Sequence, residues 1–490
     1  MCIIITSLLP HNVIQRNNVA ILIIDVGSSS VRALVMTSEN ALRTHAIAKR
    51  DYQFDTHSTI DASQLRQWVE DCIDEVFRQP ALPRIHAVGM ATFVGNLLGV
   101  DENNHPTTPV LTYADNRSSQ SAQILSTQVD TSAVHARTGC RVHTAYHPAK
   151  LHWLYQTMPD DIQKTACWLD FATYCYRTWF ERDVPCSYSI ASWSGLLNRA
   201  SLTWDGDWLS YLGISEQQLP NLADYNNTQQ GLSAPYAHRW STLCDVPFYL
   251  AVGDGAGANI GSGGISPDRP VVTIGTTAAI RIITDELSAL HPALWSYRID
   301  THRHLVGGST NEGGNIFAWA KKTFHLVNHH LDDALLHSEP ASHGLTVLPL
   351  LAGERSPNYH ESAKGTIHGL TLHTTPLQIV HALLESVGLR LRLILDAMDT
   401  ASDFVLAGGG ALYQSKAWGQ ILADCLDRPL YILAEREVTA QGVYYLIEPS
   451  QMPMQARYER QIFPRKQYIQ QYNHLLEQEQ ALYNSLYKKG

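Results

Sequence analysis

Two kinds of apolar pattern alternate along this chain. One is the short continuous run, which predicts a buried strand; the other recurs every three to four residues, which predicts a helix with one buried face. The first run, over 19–25, ends at Asp25, breaks at Gly27-Ser-Ser-Ser30 and resumes over 33–36, a strand–turn–strand hairpin. Leu65, Trp68, Val69, Cys72, Ile73, Val76 and Phe77 then keep helical spacing over 63–77, and apolar strands follow at 85–90 and 97–100. Residues 160–215 read as a helix, a hairpin and another helix, and 221–237 as a polar loop.

The second half repeats the opening plan. A run over 248–252 predicts a buried strand that delivers Asp254 into Gly255-Ala-Gly-Ala258, small residues that start a closely packed helix. A further strand, 271–274, ends in Gly275-Thr-Thr277 and turns into another that reaches Ile283. Paired glycines, Gly313 and Gly314, precede a helix, and 347–357 reads as a strand entering a polar turn. A long helix spans 375–398 with Pro376 in its first turn, a favoured place. A buried strand over 404–410 ends in Gly408-Gly-Gly410, before a turn and helix over 411–427; residues 461–490 read as a polar amphipathic helix. The two hairpins are alike in plan and unlike in residues, which predicts two related lobes.

Their turns carry the candidate chemistry. Gly27 with the hydroxyls of Ser28, Ser29 and Ser30, and Gly275 with Thr276 and Thr277, offer N–H and O–H donors suited to phosphate oxygens. Arg32 stands close behind the first turn, and Asp25 is a carboxylate able to hold Mg²⁺ through water. Asp254, near the second turn, is placed to take a proton from a hydroxyl during phosphoryl transfer. Two other readings stay open on these residues alone. Gly253-x-Gly-x-x-Ala258 satisfies a dinucleotide fingerprint, though the next strand ends in Gly-Thr-Thr instead of an acid; and a capping Asp in a glycine-rich turn is ordinary structure. Asp115 and Arg117 read equally as a polyol-binding pair or as a cap with a salt bridge, and Arg137 to Lys150 has the donor-rich, aromatic make-up of a sugar-facing loop.

Composition narrows the field. A chain of 490 residues with 44% hydrophobic and 17% charged residues is an ordinary multi-domain globular protein. A formal charge of -10 and the lack of a basic run exclude a general nucleic-acid binder. Eight scattered cysteines without a C-x-x-C pair fit free thiols and a cytoplasmic location. Residues 1–18 read as a loose leader without the basic stretch and cleavage site of a signal peptide, and no run reaches the roughly 18 apolar residues of a membrane span. His143 with His147 and His329 with His330 lack a cysteine or carboxylate at ligand spacing, and read as ordinary histidines over metal ligands.

Taken together, these stretches resemble the FGGY family of carbohydrate kinases over about residues 19–450. Five motifs stand in the family's order: Asp25-Val-Gly-Ser-Ser-Ser-Val-Arg32, Gly253-Asp-Gly-Ala-Gly-Ala-Asn259, Ile274-Gly-Thr-Thr277, Gly353-Glu-Arg-Ser-Pro357 with Gly369-Leu-Thr371, and Ala407 to Trp418 with Gln420 and Ala423-Asp424. Within the family, Leu294-Trp-Ser-Tyr-Arg298, Gly313 to Trp319, Leu370 to Pro376 and Gly410 to Trp418 are similar to the gluconate kinase branch. Two departures stand out: Val94-Gly-Asn96 replaces the branch's aromatic and histidine beside the sugar, and Asp427 stands where a glycine is common.

The resemblance implies an α/β, two-lobed actin-like ATPase (ribonuclease H-like) fold, each lobe a mixed sheet with flanking helices. It divides the chain into lobes 19–264 and 265–455 and a helical tail, 456–490. It implies ATP and Mg²⁺ as cofactors, with a small-molecule sugar or sugar acid as partner, no nucleic acid or membrane, and a homodimer as the family's common assembly. Asp254 would be the catalytic base and Asp25 the metal ligand. Gly27, Ser28, Ser29, Arg32, Gly275, Thr276, Gly314, Gly409, Gly410 and Ser415 would bind the nucleotide. Thr92, Phe93, His143, Tyr146, Lys150, Asp254 and Gly255 would face the sugar. Lys150, Arg141 and His143 are the candidates for holding a gluconate carboxylate, with Arg355 on the structural or nucleotide side. The expected reaction turns D-gluconate into 6-phosphogluconate. The competing readings are an FGGY kinase for xylulose, ribulose or a polyol, a non-catalytic sugar-binding regulator, and a nicotinamide dehydrogenase.

Overall fold

Seven consecutive buried residues make β1 (Ala20–Val26), the central strand of a five-stranded sheet. Burial on both faces is what a continuous apolar run requires. The computed structural model describes residues 19–38, 42–287, 289–326, 330–360, 362–453 and 455–488; the leader expected over 1–18, Cys2 and His329 lie outside them. β1 turns back antiparallel into β2 (Ser30–Ser38), which pairs with β3 (Leu42–Asp51). On its other side β1 runs parallel to β4 (Ile85–Thr92), after helix α1 (Ala62–Phe77), and β4 runs parallel to the short β5 (Val252–Gly253). The sheet order is β5-β4-β1-β2-β3.

A seven-stranded sheet repeats this plan. β6 (Val271–Ile274) and β7 (Ala278–Thr284) form the second hairpin, β9 (His304–Thr310) extends it antiparallel, and β8 (Trp295–Arg298) closes that edge. On its other side β6 runs parallel to β10 (Val405–Gly408), which runs parallel to β11 (Leu430–Leu433). Five strands in the order β11-β10-β6-β7-β9 thus match β5-β4-β1-β2-β3 in order and direction, and β8 and β12 (Tyr458–Ile462) are additions at the two edges.

Each β5-type strand feeds a helix, and the two helices meet. α2 (Asp254–Gly261) follows β5, while α3 (Gly314–Thr323), α4 (Pro376–Ala397), α5 (Gly410–Gln414) and α6 (Lys416–Leu426) serve the second sheet. α7 (Val438–Ile447), after β11, packs directly on α2. A methyl group on Gly442 would fall on the Gly257 carbonyl, and one on Gly261 on the Val438 carbonyl, so glycine alone allows this backbone-to-backbone crossing. Thr375 caps α4 in a reciprocal box with Gln378, ahead of Pro376 at the first turn. α8 (Ile469–Tyr487) ends the described chain with Tyr472, Leu475, Glu479 and Tyr483 buried.

Two local expectations are corrected and one open reading is narrowed. The 248–252 run is buried except at Tyr249, but only Val252–Gly253 forms a continuous ladder: Phe248 makes an isolated bridge to Val88, and the Leu250 N–H turns aside to the Tyr225 carbonyl. The stretch from 461 is not helical throughout, because 458–462 pairs with β11 as an edge strand that its polar composition hid. Asp115 and Arg117 form an ion pair at 2.6 Å, with the Arg117 N–H also donating to Asp115; this is the salt bridge of the second reading, while Ser118 and not Asp115 is the first cap residue of the helix that follows. Among the described residues no helix is long and apolar enough to cross a membrane.

Candidate active site

Asp254 is the first residue of α2, set there by β5 and capped by Gly253. Its Oδ1 accepts the Gly255 N–H at 2.7 Å. Burial raises its pKa to about 6, with the Asp25 charge adding to the rise; Arg281 and the Gly255 N–H act the other way. It borders a cavity of about 160 Å³. Ser28 of the first hairpin turn and Thr277 of the second both line that cavity, so two distant turns and the carboxylate converge on one space.

Behind Thr277 the glycines assemble. The Gly314 N–H donates to the Gly275 carbonyl at 2.7 Å, and the Asn315 N–H to the Thr276 carbonyl at 3.1 Å. Gly409 has φ +104° and lies so close to Ile274 that no side chain fits. A Cβ on Gly275 or Gly410 would meet nothing within 4 Å. Gly275, Thr276 and Gly410 are exposed, while Gly314 packs on the Gly275 carbonyl and Gly409 on Ile274, so these residues form one cluster at the ends of β6 and β10. Ser415 does not face it: it caps α6 and gives its hydroxyl to Asp332 at 2.5 Å.

On the first hairpin, the Gly27 N–H donates to the Ser30 carbonyl at 2.9 Å, and Ser29 is exposed at the turn. Asp25 is 1% exposed and pairs with Arg32 at 2.5 Å; the other arm of Arg32 reaches Glu437, before α7, at 2.6 Å. Burial raises the Asp25 pKa against the pull of Arg32. The charge of Asp25 pushes the Asp254 proton affinity up, and that of Glu437 does the same to Asp25. A divalent cation would relieve that repulsion, and Mg²⁺ needs only one or two carboxylates when phosphates complete its shell. Asp25 fits that role, with Arg32 as the cation now beside it.

The sugar-facing candidates divide. Tyr146 and Gly255 line the cavity with Asp254. Thr92 and Phe93 are fully buried behind it, Phe93 against Phe54, and form no part of its wall. Asn96 is also structural, accepting the Phe171 N–H at 2.7 Å, so only Val94 and Gly95 of the altered loop touch the cavity. Lys150 is buried, spends its ammonium group on the carbonyls of Thr144 and Asp115, and has its pKa lowered by burial to about 8. His143 is buried with a pKa lowered to about 3, hence neutral, and its ring stands edge-on to Tyr359. His147 bonds the Asn96 carbonyl at 3.0 Å. Arg141 lies beyond Tyr359 and outside the wall.

The cations in the wall are instead Arg281 on β7 and Arg355. The sequence placed Arg355 on the structural or nucleotide side and gave Arg281 no role. The floor is aromatic. Trp193 stacks on Tyr297 at 3.6 Å, Tyr297 stacks on Trp295 at 4.3 Å, and the hydroxyls of Tyr146 and Tyr297 meet at 2.7 Å. Trp295 and Tyr297 sit in the Leu294–Arg298 motif, a signal that could have found them; Trp193 had none.

The N-terminal domain of the FGGY family of carbohydrate kinases matches residues 20–261, and the C-terminal domain matches 271–447. Gluconokinase from Bacillus subtilis (strain 168) is 26% identical over 86% of this chain and 86% of its own. Xylulose kinase from Escherichia coli (strain K12) is 25% identical over 83% and 85%. Gluconate kinase from Lactobacillus acidophilus superposes with a TM-score of 0.87 at 22% identity, covering 95% of this chain and 98% of its own. Ligand-bound xylulose kinase from the same organism superposes at 0.88 and 22%, covering 96% and 99%. The fold is the two-domain, actin-like ATPase type of these structures. With both domains matched in order across most of its length, the chain belongs to the FGGY family of carbohydrate kinases, phosphotransferases that act on sugar hydroxyl groups.

Proposed function

We propose that the chain transfers the γ-phosphoryl group of ATP to the primary hydroxyl of D-gluconate, forming 6-phosphogluconate. The observation that carries the reading is the convergence of Asp254, Ser28 and Thr277 on one cavity. Asp254 takes the hydroxyl proton as the oxygen–phosphorus bond forms and the bond to the β-phosphate oxygen breaks, releasing ADP. Donors at Gly27, Ser28, Ser29, Gly275 and Thr276 hold the phosphates, and Gly314, Gly409 and Gly410 admit the nucleoside. When bound, Mg²⁺ neutralises phosphate charge, and Asp25 would hold it. Positioning and electrostatics supply most of the rate in such a transfer. The aromatic floor excludes water from the hydroxyl that reacts. Residues 19–264 and 265–455 act as two lobes about the α2–α7 crossing, with 456–490 appended.

Gluconokinase relatives at 25–26% identity support the acid as acceptor. Xylulose kinases at 23–25% keep a ketopentose as the second reading. The test is ADP release with D-gluconate, D-xylulose, D-ribulose, L-ribulose, glycerol, erythritol or no sugar. Stimulation by D-gluconate above all others is the expected result; a ketose or polyol in first place overturns the substrate and leaves the kinase.

A further inference from the structure

We infer that the guanidinium groups of Arg281 and Arg355, with the indole N–H of Trp193, form a carboxylate subsite that makes the acceptor an acid. The inference rests on reading the cavity as the acceptor site, and it names the residues that select the substrate class. Three observations carry it.

The first is unspent donors. The Nε atoms of Arg281 and Arg355 and the Nε1 of Trp193 are buried without a hydrogen-bond partner among the described residues. Native proteins leave few such groups unpaired, and an orphaned cationic donor is costly. Each of these three residues lines the same cavity.

The second is charge. The charged side chains in the cavity wall are Arg281, Arg355 and Asp254, two cations against one carboxylate. Burial and the neighbouring Arg355 charge lower the Arg281 pKa only to about 10, so it stays charged at neutral pH. One positive charge is left over for a ligand. A neutral ketose or polyol leaves that charge uncompensated in a partly desolvated site, whereas a carboxylate pairs with it and accepts guanidinium N–H bonds.

The third is position. A Cβ on Gly255 would lie 3.6 Å from Arg281 Nε, and one on Gly253 2.9 Å from Trp193 Nε1, so the two donors stand beside the residues that flank Asp254. Arg355 is steadied by the Thr310 carbonyl at 2.7 Å and by the Tyr113 ring. The cations on the other side of this loop are spent: Lys150 on backbone carbonyls, His143 neutral.

The experiment compares D-gluconate with D-glucitol, the same carbon chain with a hydroxymethyl group for the carboxylate, on the full chain with ATP·Mg²⁺. Arg355→Met is expected to raise the KM for D-gluconate about 10–100-fold, the range of a lost charged hydrogen bond. Its kcat for D-gluconate stays within a few-fold, while the preference for D-gluconate over D-glucitol, read as the ratio of their kcat/KM values, falls by about the same factor. Arg355→Lys restores part of the loss, and Trp193→Phe, which keeps the stack, raises the same KM by a smaller factor. Calorimetry without nucleotide reads D-gluconate binding directly, and Arg355→Met is expected to weaken it by about the same factor. Equal losses for both acceptors, or a loss confined to kcat, would assign the guanidinium to the transferred phosphoryl group and overturn the subsite while gluconate kinase activity stands. A wild-type protein that binds and phosphorylates D-xylulose and ignores D-gluconate overturns the substrate reading itself.

Discussion

Tyr483 of the terminal helix α8 donates its hydroxyl to Glu354 at 2.6 Å, next to the residue that puts a guanidinium into the cavity wall. Glu354 is 2% exposed and also accepts from Arg390 on α4, from Asn358 and from the His360 N–H. The end of the chain therefore braces the loop that carries Arg355 and Tyr359.

Removing that donor should be felt in both stability and substrate binding. Tyr483→Phe leaves a buried carboxylate one partner short, which costs about 1–3 kcal/mol. A lower urea midpoint is expected, with the acceptor KM rising more than the ATP KM. Unchanged stability together with unchanged acceptor KM would refute the bracing role.

Asp254→Asn should lower kcat by about 10²–10⁴-fold while ATP still binds, as loss of a positioned base does. The pH profile carries a sign. Burial raises the Asp254 pKa to about 6, and the active form is the deprotonated one. For wild type, kcat/KM should climb with pH below about 6 and level off above it. Stopped assays across pH 4.5–8.5 measure this, and a flat profile with near-normal turnover of the Asn variant counts against the base.

Glu479 on α8 offers a stability test away from the site. Burial raises its pKa from 4.5 to about 8, against the pull of Ser386 and Arg390. Between those values the folded state holds a proton that the unfolded state has released. This carboxyl's contribution is fully present below pH 4.5 and is lost as pH rises toward 8, at up to about 1.4 kcal/mol per unit. Glu479→Gln should therefore raise the Tm relative to wild type more at pH 8 than at pH 5. An equal difference at both would show that the group does not titrate in this window.

Two glycines proposed to border the nucleotide should respond differently. Gly409→Ala forces a left-handed φ and a clash with the Ile274 backbone, and costs about 1–3 kcal/mol from conformation alone. Gly275→Ala meets no protein atom. Both are expected to weaken ATP binding by calorimetry, but only Gly409→Ala should lower the Tm. If Gly275→Ala binds ATP normally, that open space is not where phosphates sit.

The Asp25 and Asp254 motifs and both hairpins could be read along the chain because each is local. An apolar run is long enough for one strand, small polar residues make the turn, and one carboxylate follows within a few residues. The two-sheet plan followed from the same repetition. The strand 458–462 could not be read, because a polar edge strand owes its pairing to β11 and not to its own pattern. Residue type alone also misassigned the cations. Lys150 looks like an anion ligand in the sequence, yet its ammonium group is taken by two carbonyls.

Local order along the chain thus settles both hairpins, their turns and the family. The cavity wall belongs to the folded molecule alone. Trp193, Arg281, Tyr297 and Arg355 come from separate segments, and what each can bind depends on which donors its neighbours leave unpaired. Pairing, burial and net charge inside a cavity are sums over residues far apart in sequence, and they exist only once the two sheets have closed on the α2–α7 crossing.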